Sequence, residues 1–317
     1  LWRCLLAMAW QAWREARRWR PDVVLAGSGL VAPVAWLAAR ACGAGSAAYV
    51  HGLDIAVRHP LYRALWLPAI RRMQRVIANS RPTATLCAGI GVDAARTAIV
   101  HPGVDLPTAA ASPEALAGFR ARHGLERRPL LLSVGRLSTR KGLREFVAAA
   151  LPRIVAARPD TLLVIVGDAP TQALHAKAQT PASIQAAADA AGVGAHLRFL
   201  GTITDYAELG LAYRCAAVHV FPVRELPGDP EGFGMVAVEA AAHGLPTVAF
   251  ATGGVTDAVA EGQSGHLVPP GDYPGFAAAV LRTLDDDLRQ RSTSFARRFA
   301  WTGFGNQIAA SLPLPPR

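Results

Sequence analysis

The feature that most constrains the fold is a repeated alternation of short β-like runs, each with a continuous apolar centre, with helical segments. In the first third of the chain, helical patterns near 30–42, 61–73 and 82–90 separate four such runs: "DVVLAGS" (22–28), "SAAYVHG" (46–52), "RVIANS" (75–80) and "TAIVHPG" (97–103). Strands that are apolar throughout are buried on both faces, as in a parallel sheet covered by helices. The pattern therefore predicts an α/β chain whose first parallel sheet lies within residues 1–107.

A second, longer alternation follows. Strands are predicted at 129–136, 161–168, 196–201, 218–223, 246–251 and 265–270, with helices near 143–157, 182–191, 205–214, 233–243, 255–261 and 273–286. This order is typical of a doubly wound domain, here over residues 108–286. The Pro-containing stretch 104–129 is predicted as an interdomain linker with a short helix in its middle. Residues 287–317 are predicted as C-terminal helices, with packing back on the N-terminal domain as one arrangement.

The chain opens with a helical pattern, "LWRCLLAMAWQAWREARRWR", where a doubly wound domain normally opens with a strand and a Gly-rich turn. We therefore expect the first domain to lack its first strand or strands, as in an N-terminally truncated chain. Apolar side chains of this helix share one face and arginines gather toward its end. Two interpretations stay open: a helix packed on the first sheet, or a basic helix on an anionic membrane. The apolar face contains Leu5, Leu6, Ala9, Trp10 and Trp13.

The formal net charge of +10, carried mostly by arginine, indicates an anionic partner. Nucleic acid, a phosphate-bearing small molecule and an acidic membrane all fit, but nucleic acid is least favoured because no aromatic-basic reading motif is present. The four cysteines form no C-x-x-C pair, which argues against zinc and redox sites. No apolar run reaches the ~18 residues needed to span a bilayer. We expect a cytoplasmic protein, with contact to the inner face of the membrane as an open hypothesis.

The segment "SVGRLSTRKG" (133–142) has the form of a strand, a turn at Gly135 and a polar loop before a helix. Such junctions direct backbone N–H groups at one point, and Arg136 and Lys141 would add two cations suited to a diphosphate. A solvated basic loop is the alternative. The segment is not a P-loop, so ATP hydrolysis is not supported. In "VIVGD", Gly167 ends another strand at the edge that faces ligands in open α/β sheets.

The segment "EGFGMVAVE" (231–239) places a glutamate at each end of an apolar stretch. If most of this span is helical, Glu231 and Glu239 lie ~12 Å apart along the axis. Two interpretations stay open: an ordinary core helix with solvated ends, or two carboxylates spaced along a hydroxyl-rich ligand. Gly234 would let the backbone approach that ligand, and the N–H groups of Phe233, Gly234 and Met235 would favour an anion at the helix start.

Taken in order, these motifs resemble the retaining GT-B glycosyltransferases of family 4, the group 1 glycosyl transferases. The resemblance is carried by Glu231 and Glu239 as E-x7-E, by "GRL…KG", by "EAAAHGLPTVAFATGGVTDAVAEGQSGHLVPPGD", by "PGVD" (102–105) and by "IANS" (77–80). It implies two Rossmann-like domains facing a cleft. It also implies transfer of a hexose from a nucleotide-diphospho-sugar, with retention of configuration, to an unknown lipid-linked or polysaccharide acceptor.

The resemblance also implies roles for donor-binding residues. Arg136 and Lys141 would bind the diphosphate and stabilise charge on the departing nucleotide, beside Gly135 and Gly167. Glu239 would bind the ribose hydroxyls. No metal and no cofactor are expected, because members of the family generally use Arg and Lys where other glycosyltransferases use a divalent metal.

The remaining implied roles concern the transferred sugar. Glu231 would hydrogen-bond it, and the amides of Phe233, Gly234 and Met235 would contact sugar and phosphate. His51, in "HGLD", matches a first-domain histidine near the transferred sugar, with a buried structural histidine as the alternative. A nucleotide-sugar-binding protein without transferase activity is the alternative function, because the acceptor domain is predicted to be incomplete.

Overall fold

The structure of the chain, a computed structural model, describes residues 2–125, 128–169 and 179–314. The described residues form two compact units. The first unit contains the described parts of 1–103, 227–233 and 301–317, and the second contains those of 104–226 and 234–300. The chain therefore passes from one unit to the other at 103/104, 226/227, 233/234 and 300/301.

The described strands form two separate parallel sheets. The strands are β1 (Val23–Ala26), β2 (Gly45–Val50), β3 (Arg75–Ala78), β4 (Thr97–Ile99), β5 (Leu130–Val134), β6 (Leu162–Val166), β7 (Leu197–Gly201), β8 (Val218–Phe221), β9 (Thr247–Phe250) and β10 (Gly265–Val268). The first sheet has the order β1-β2-β3-β4 and the second the order β10-β9-β8-β5-β6-β7. The predicted α/β class with two parallel sheets is confirmed.

Helices cover the described sheets. They are α1 (Trp2–Trp19), α2 (Ala32–Cys42), α3 (Leu53–Ala56), α4 (Pro60–Arg72), α5 (Arg81–Gly89), α6 (Pro113–Arg122), α7 (Leu143–Ala149), α8 (Leu151–Ala157), α9 (Pro181–Ala190), α10 (Tyr206–Cys215), α11 (Met235–Ala242), α12 (Val255–Ala258), α13 (Tyr273–Asp285), α14 (Arg289–Ala296) and α15 (Trp301–Ser311). None of the helices in the described ranges combines the length and apolar character needed to span a bilayer.

The core of the first unit lies between its sheet and the helices that follow each strand. All six residues of β2 are buried, which explains why this strand contains no charged residue and shows no alternation of apolar with exposed polar residues. Val50 and Val76 from the sheet pack with Ile70 and Met73 from the end of α4. Helix α15, from the C-terminal part of the chain, groups with this unit and brings Phe304 against Tyr49.

The second sheet reverses its direction of growth between β5 and β8. From β5 the chain adds β6 and β7 on one side, then returns to add β8, β9 and β10 on the other. In open α/β sheets, ligands bind outside the carboxyl ends of the strands at such a point. A ligand site is therefore expected at the loops after β5 and β8.

Two sequence predictions differ from the structure in detail. The single helix predicted at 143–157 is two helices, α7 and α8, separated at Ala150. Pro152 explains the break, because proline lacks the N–H that a continuous helix needs. In the stretch 104–129, predicted as a linker, Phe119 and Leu125 are buried in the core of the second unit.

Candidate functional site

The loops after β5 and β8 are in contact at the point where the strand order reverses. Gly142, at the end of the first loop, has a left-handed backbone (φ +68°), and a β-carbon there would overlap the carbonyl oxygen of Pro222 in the second loop. Only glycine allows this approach without displacing one of the loops. The two loops therefore form one joined surface at the carboxyl edge of the sheet.

Arg224 and Glu145 link the two loops to helix α7 by hydrogen bonds. The backbone N–H of Arg224 donates to the carbonyl oxygen of Arg140 (2.8 Å), and its Nη1 donates to Oε1 of Glu145 (2.7 Å). The second carboxylate oxygen of Glu145 accepts from Nε2 of Gln179 (2.8 Å). Hydrogen bonds to a charged group are strong and directional. They therefore fix both the end of the loop that carries Lys141 and the helix α7 that follows it.

Lys141 lies over an aromatic ring at the end of β8. Its Nζ is 4.5 Å from the centroid of the Phe221 ring, and Phe221 itself is buried. Arg136, the other predicted cation, lies in the same loop and is exposed. The surface thus carries a partly buried ammonium and a solvent-facing guanidinium, both able to meet an anion.

Gly135 and Gly167 bring the ends of β5 and β6 together. Their φ angles are +133° and +129°, and a β-carbon on Gly167 would overlap the carbonyl oxygen of Gly135. The N–H of Gly135 donates to the carbonyl oxygen of Val166 (2.9 Å), and the N–H of Leu137 donates to that of Asp168 (2.9 Å). The absence of a side chain at the two predicted glycines therefore allows the loops after β5 and β6 to lie in direct backbone contact.

Glu239 lies in α11 and its carboxylate is held by a buried tyrosine. Oε2 of Glu239 accepts from the hydroxyl of Tyr213 at 3.0 Å. Burial raises the pKa of Glu239, while the Tyr213 hydrogen bond and the charge of Lys141 favour the carboxylate and Asp105 opposes it. Lys141 is therefore close enough to Glu239 to influence its charge.

The span from Glu231 to Glu239 is helical only in its C-terminal part, so the condition behind the ~12 Å estimate is met only in part. Helix α11 begins at Met235, and Gly234 before it has a left-handed backbone (φ 95°, ψ 49°). Residues 227–234 are non-helical because prolines and glycines dominate this stretch. The ~12 Å separation expected from a continuous helix therefore does not apply.

The segment that carries Glu231 belongs to the first unit, whereas Glu239 belongs to the second. The hydroxyl of Ser80 donates to the carbonyl oxygen of Gly232 (2.7 Å). The Phe233 ring stacks on His101, with ring centroids 5.2 Å apart. Ser80 and His101 follow β3 and β4, so the segment lies at the carboxyl edge of the first sheet.

His51 lies at the carboxyl end of β2 and is exposed, unlike the buried histidine of the alternative interpretation. Its Nε2–H donates to the carbonyl oxygen of Gly27 (3.0 Å). Its ring is perpendicular to the Tyr49 ring, with the two ring centroids 4.8 Å apart. Oδ2 of Asp54 accepts from the backbone N–H groups of both His51 (3.1 Å) and Gly29 (3.0 Å). Asp54 thereby ties together the loops after β1 and β2.

Sequence reasoning did not identify Tyr213, Phe221 or Glu145. An aromatic residue on an amphipathic helix or in a buried strand has the pattern of a core residue, so no local signal separates these two from the rest of the core. Within the described ranges, no group of three or more His, Cys, Asp or Glu side chains is arranged to hold a metal ion.

Comparison with known proteins places both units in one family. The model for "Glycosyl transferases group 1" matches residues 128–286, and that for "Glycosyltransferase Family 4" matches residues 1–107. A GDP-mannose-dependent alpha-(1-6)-phosphatidylinositol monomannoside mannosyltransferase of Mycolicibacterium smegmatis is 32% identical over 92% of this chain and 76% of its own length. A glycogen synthase of Mycobacterium tuberculosis is 33% identical over 93% of this chain and 68% of its own length.

Solved structures share the fold. The crystal structure of Anabaena Alr3699/HepE in complex with UDP superimposes with a TM-score of 0.81 at 22% identity, covering 96% of this chain and 81% of that one. The lipopolysaccharide outer core galactosyltransferase WaaB gives a TM-score of 0.72 at 17% identity, covering 97% of this chain and 79% of that one. The chain therefore belongs to glycosyltransferase family 4, the group 1 glycosyl transferases, and is a glycosyltransferase of the GT-B fold.

Proposed function

We propose that this glycosyltransferase moves a hexose from a nucleotide-diphospho-sugar to a lipid-linked or polysaccharide acceptor with retention of anomeric configuration. The observation that carries the proposal is the position of Lys141, which follows β5 and lies over the Phe221 ring at the end of β8, where the strand order of the second sheet reverses. Donors named for similar proteins support it, since one relative is GDP-mannose-dependent and one protein of the same fold was crystallised with UDP-glucose.

In this proposal the second unit binds the nucleotide. Lys141 and Arg136 neutralise the diphosphate, with Gly135 and Gly167 allowing close approach of their loops. The start of α11 adds the N–H groups of Gly234 and Met235, where a helix favours an anion. Glu239 accepts hydrogen bonds from the ribose hydroxyls. Cations aimed at the departing phosphate oxygen stabilise the transition state more than the ground state, since that oxygen gains charge as the bond breaks.

For residues of the first unit we propose roles toward the transferred sugar. Glu231 accepts hydrogen bonds from its hydroxyls, the N–H of Phe233 contacts it, and His51 lies beside it. The acceptor hydroxyl oxygen bonds to the anomeric carbon on the face that the phosphate leaves. The carbon–oxygen bond to the diphosphate breaks, and the leaving phosphate takes the acceptor's proton. In this mechanism Arg136 and Lys141 perform the charge stabilisation for which other enzymes use a divalent metal, and no cofactor takes part.

We further propose that the first unit contacts the inner face of an anionic membrane, where a lipid-linked acceptor would be found. The contact is the tryptophan surface, formed by Trp10, Trp13, Arg14 and Arg17 of α1 and Leu37 of α2. Trp10, Trp13 and Leu37 are exposed, with Arg14 over the Trp10 ring (4.8 Å) and Arg17 over the Trp13 ring (5.0 Å). Basic residues around exposed aromatic rings suit an anionic lipid surface. The side chains of Leu5 and Leu6, predicted on the same face, lie outside the described residues.

The principal experiment is a thermal-shift screen of the purified chain against UDP-, GDP- and ADP-linked glucose and mannose. A true donor raises the melting temperature by mass action, by an amount that grows with its concentration. A chain that none of these donors stabilises would refute the proposal. The stabilising donor is then incubated in radiolabelled form with lipid extract and with polysaccharide. Binding without any transfer would favour the alternative, a nucleotide-sugar-binding protein without transferase activity.

A further inference from the structure

The ring of Tyr213, in α10, is clamped inside the second unit. It is only 1% exposed. The His243 ring stacks on it with centroids 5.2 Å apart, and the His219 ring meets it at 77° with centroids 6.4 Å apart. Burial and the nearby charge of Lys141 lower the pKa of His219 to about 3, so this neighbour stays neutral. The clamped ring gives the Tyr213 hydroxyl one defined position.

From that position the hydroxyl donates to Oε2 of Glu239 at 3.0 Å. Burial, reinforced by the charge of Glu239, raises the pKa of Tyr213 well above its ordinary value, so the phenol keeps its proton and stays a donor. The other oxygen, Oε1, accepts from no side chain in the described part of the chain. Within the described residues, side chains therefore supply a hydrogen bond to one carboxylate oxygen, and the other can accept a hydrogen bond from a ligand.

The backbone of Glu239 is contacted by the same histidine that stacks on Tyr213. Nδ1–H of His243 donates to the Glu239 carbonyl oxygen (2.9 Å), so the ring that stacks on Tyr213 also contacts the turn of α11 that carries the glutamate. A glutamate carboxylate ordinarily rotates freely about its last torsion, because that torsion has no sharp minima. A donor on a clamped ring selects one orientation before any ligand arrives.

We propose that Tyr213 is a positioning residue that orients the Glu239 carboxylate toward the ribose hydroxyls and thereby selects ribonucleotide donors over 2′-deoxyribonucleotide ones. The inference rests on the proposed role of Glu239 and extends it to a residue that does not touch the donor. A pre-oriented carboxylate accepts from the 2′- and 3′-hydroxyls at low entropic cost. A carboxylate that rotates freely must be oriented when the ligand binds, which costs entropy. The resulting loss of affinity should be largest for ribonucleotides, because they carry both hydroxyls.

The test compares nucleotide binding by wild type, Tyr213→Phe and Glu239→Ala, measured by isothermal titration calorimetry. The ligands are UDP and GDP with their 2′-deoxy counterparts, dUDP and dGDP, and the ribonucleotide that wild type binds more tightly is used with its deoxy form. We expect Tyr213→Phe to weaken ribonucleotide binding by on the order of tenfold, as for a lost hydrogen bond to a charged group, and deoxynucleotide binding much less. The ribo-to-deoxy preference should fall in Glu239→Ala as well.

Tyr49→Phe is the matched control. Its hydroxyl is also buried and donates to the carbonyl oxygen of Val100 (3.0 Å), but it lies in the first unit. It should leave the ribo-to-deoxy preference at its wild-type value. Thermal unfolding of each variant shows whether it is folded, and a Tyr→Phe change in a stacked ring keeps the ring contacts.

The outcomes separate the two proposals. If Glu239→Ala loses the preference and Tyr213→Phe keeps it, or weakens both ligands equally, Tyr213 only fills the core and the inference is overturned. If Glu239→Ala itself keeps the wild-type preference, the ribose role of Glu239 fails and the inference falls with it. A preference lost in both variants and kept in Tyr49→Phe supports the assignment.

Discussion

The ammonium of Lys141 lies 4.5 Å from the centroid of the Phe221 ring, at the edge where the second sheet reverses direction. Lysine side chains are flexible and strongly hydrated, so an unsupported ammonium would meet an anion only part of the time. The aromatic face limits that freedom. The cation is therefore positioned by a side chain that itself carries no charge, and the lysine and the ring should act together.

Lys141→Ala should lower kcat of sugar transfer by on the order of a hundredfold or more, as for loss of one group that stabilises developing charge. The melting temperature should fall by only a few degrees, since the change removes a half-buried side chain and its contact with the Phe221 ring but no part of the hydrophobic core. Steady-state kinetics with the donor found by thermal shift measure the first, and calorimetry the second. Arg153→Ala, which removes an exposed cation from α8, is the control and should retain wild-type kcat. Unchanged transfer in Lys141→Ala would rule out the diphosphate assignment.

Glu239→Gln should lose donor affinity and yet gain stability at neutral pH. Burial raises the folded-state pKa of Glu239 above its ordinary value of 4.5, so ionising this group in the folded state costs free energy. That cost is absent below the unfolded-state pKa, grows as pH rises through the raised folded-state pKa, and is constant above it. The free energy of unfolding from urea titrations should therefore favour Glu239→Gln at pH 8, with the gap closing as pH falls toward 4.5. A gap that is the same at every pH would contradict the raised pKa.

Gly167→Ala should disrupt the β5–β6 edge. The added β-carbon would overlap the Gly135 carbonyl oxygen, and the backbone at φ +129° strains any L side chain. Gly192→Ala is the matched control, because Gly192 also has a positive φ (+74°) but nothing within 4 Å of the new carbon. We expect Gly192→Ala to cost about 1 kcal/mol of unfolding free energy and Gly167→Ala several times more, with loss of donor binding. Equal costs would mean that the overlap is relieved by a small shift.

His51→Ala should lower turnover while leaving nucleotide affinity near its wild-type value, because His51 lies in the first unit and the proposed nucleotide-binding residues lie in the second. Activity assays and titration with the nucleoside diphosphate separate the two effects. His59→Ala removes another exposed histidine of the same unit and should retain full turnover. A variant at His51 with wild-type kcat would exclude it from the reaction.

Replacing Trp10 and Trp13 by alanine should reduce binding to vesicles that contain anionic phosphatidylglycerol, measured by co-sedimentation. Binding of the wild type should weaken as salt rises, because the arginine contribution is screened. Tyr206→Ala is the control: Tyr206 is 85% exposed, but it lies at the start of α10 in the second unit. Equal sedimentation of the double variant and wild type would show that the tryptophan surface is not the contact.

The sequence predicted the strands and helices well because each is encoded locally. Each of the ten described strands lies within or next to its predicted range, since a continuous apolar run has few alternatives in a chain of this class. The prediction failed where long-range contacts decide the outcome. Tyr213 and Glu239 are 26 positions apart, and nothing near either residue indicates that the hydroxyl of one meets the carboxylate of the other.

The start of α11 shows a different limit. The apolar stretch "EGFGMVAVE" left open a helix over most of its length, but the left-handed backbone at Gly234 delays the start of α11 to Met235, four residues after Glu231. Glycine tolerates both the helical and the left-handed conformation, so its presence in the sequence does not decide between them. The assignment of Glu231 to the first unit depends on Ser80 and His101, which are more than 100 positions away.

The order of strands in the second sheet also determines when its proposed nucleotide-binding surface comes into being. Lys141 follows β5, but the ring beneath it and the carboxylate near it arrive only with β8 and α11, after β6 and β7 have already been made. A chain emerging from the ribosome with β5 to β7 complete would have an unpaired β5 edge and no ligand surface. Long-range pairing of this kind is slow to form and exposes apolar edges meanwhile. Nucleotide binding would thus report that the late strands have docked, and donor present during synthesis or refolding would act as a folding aid.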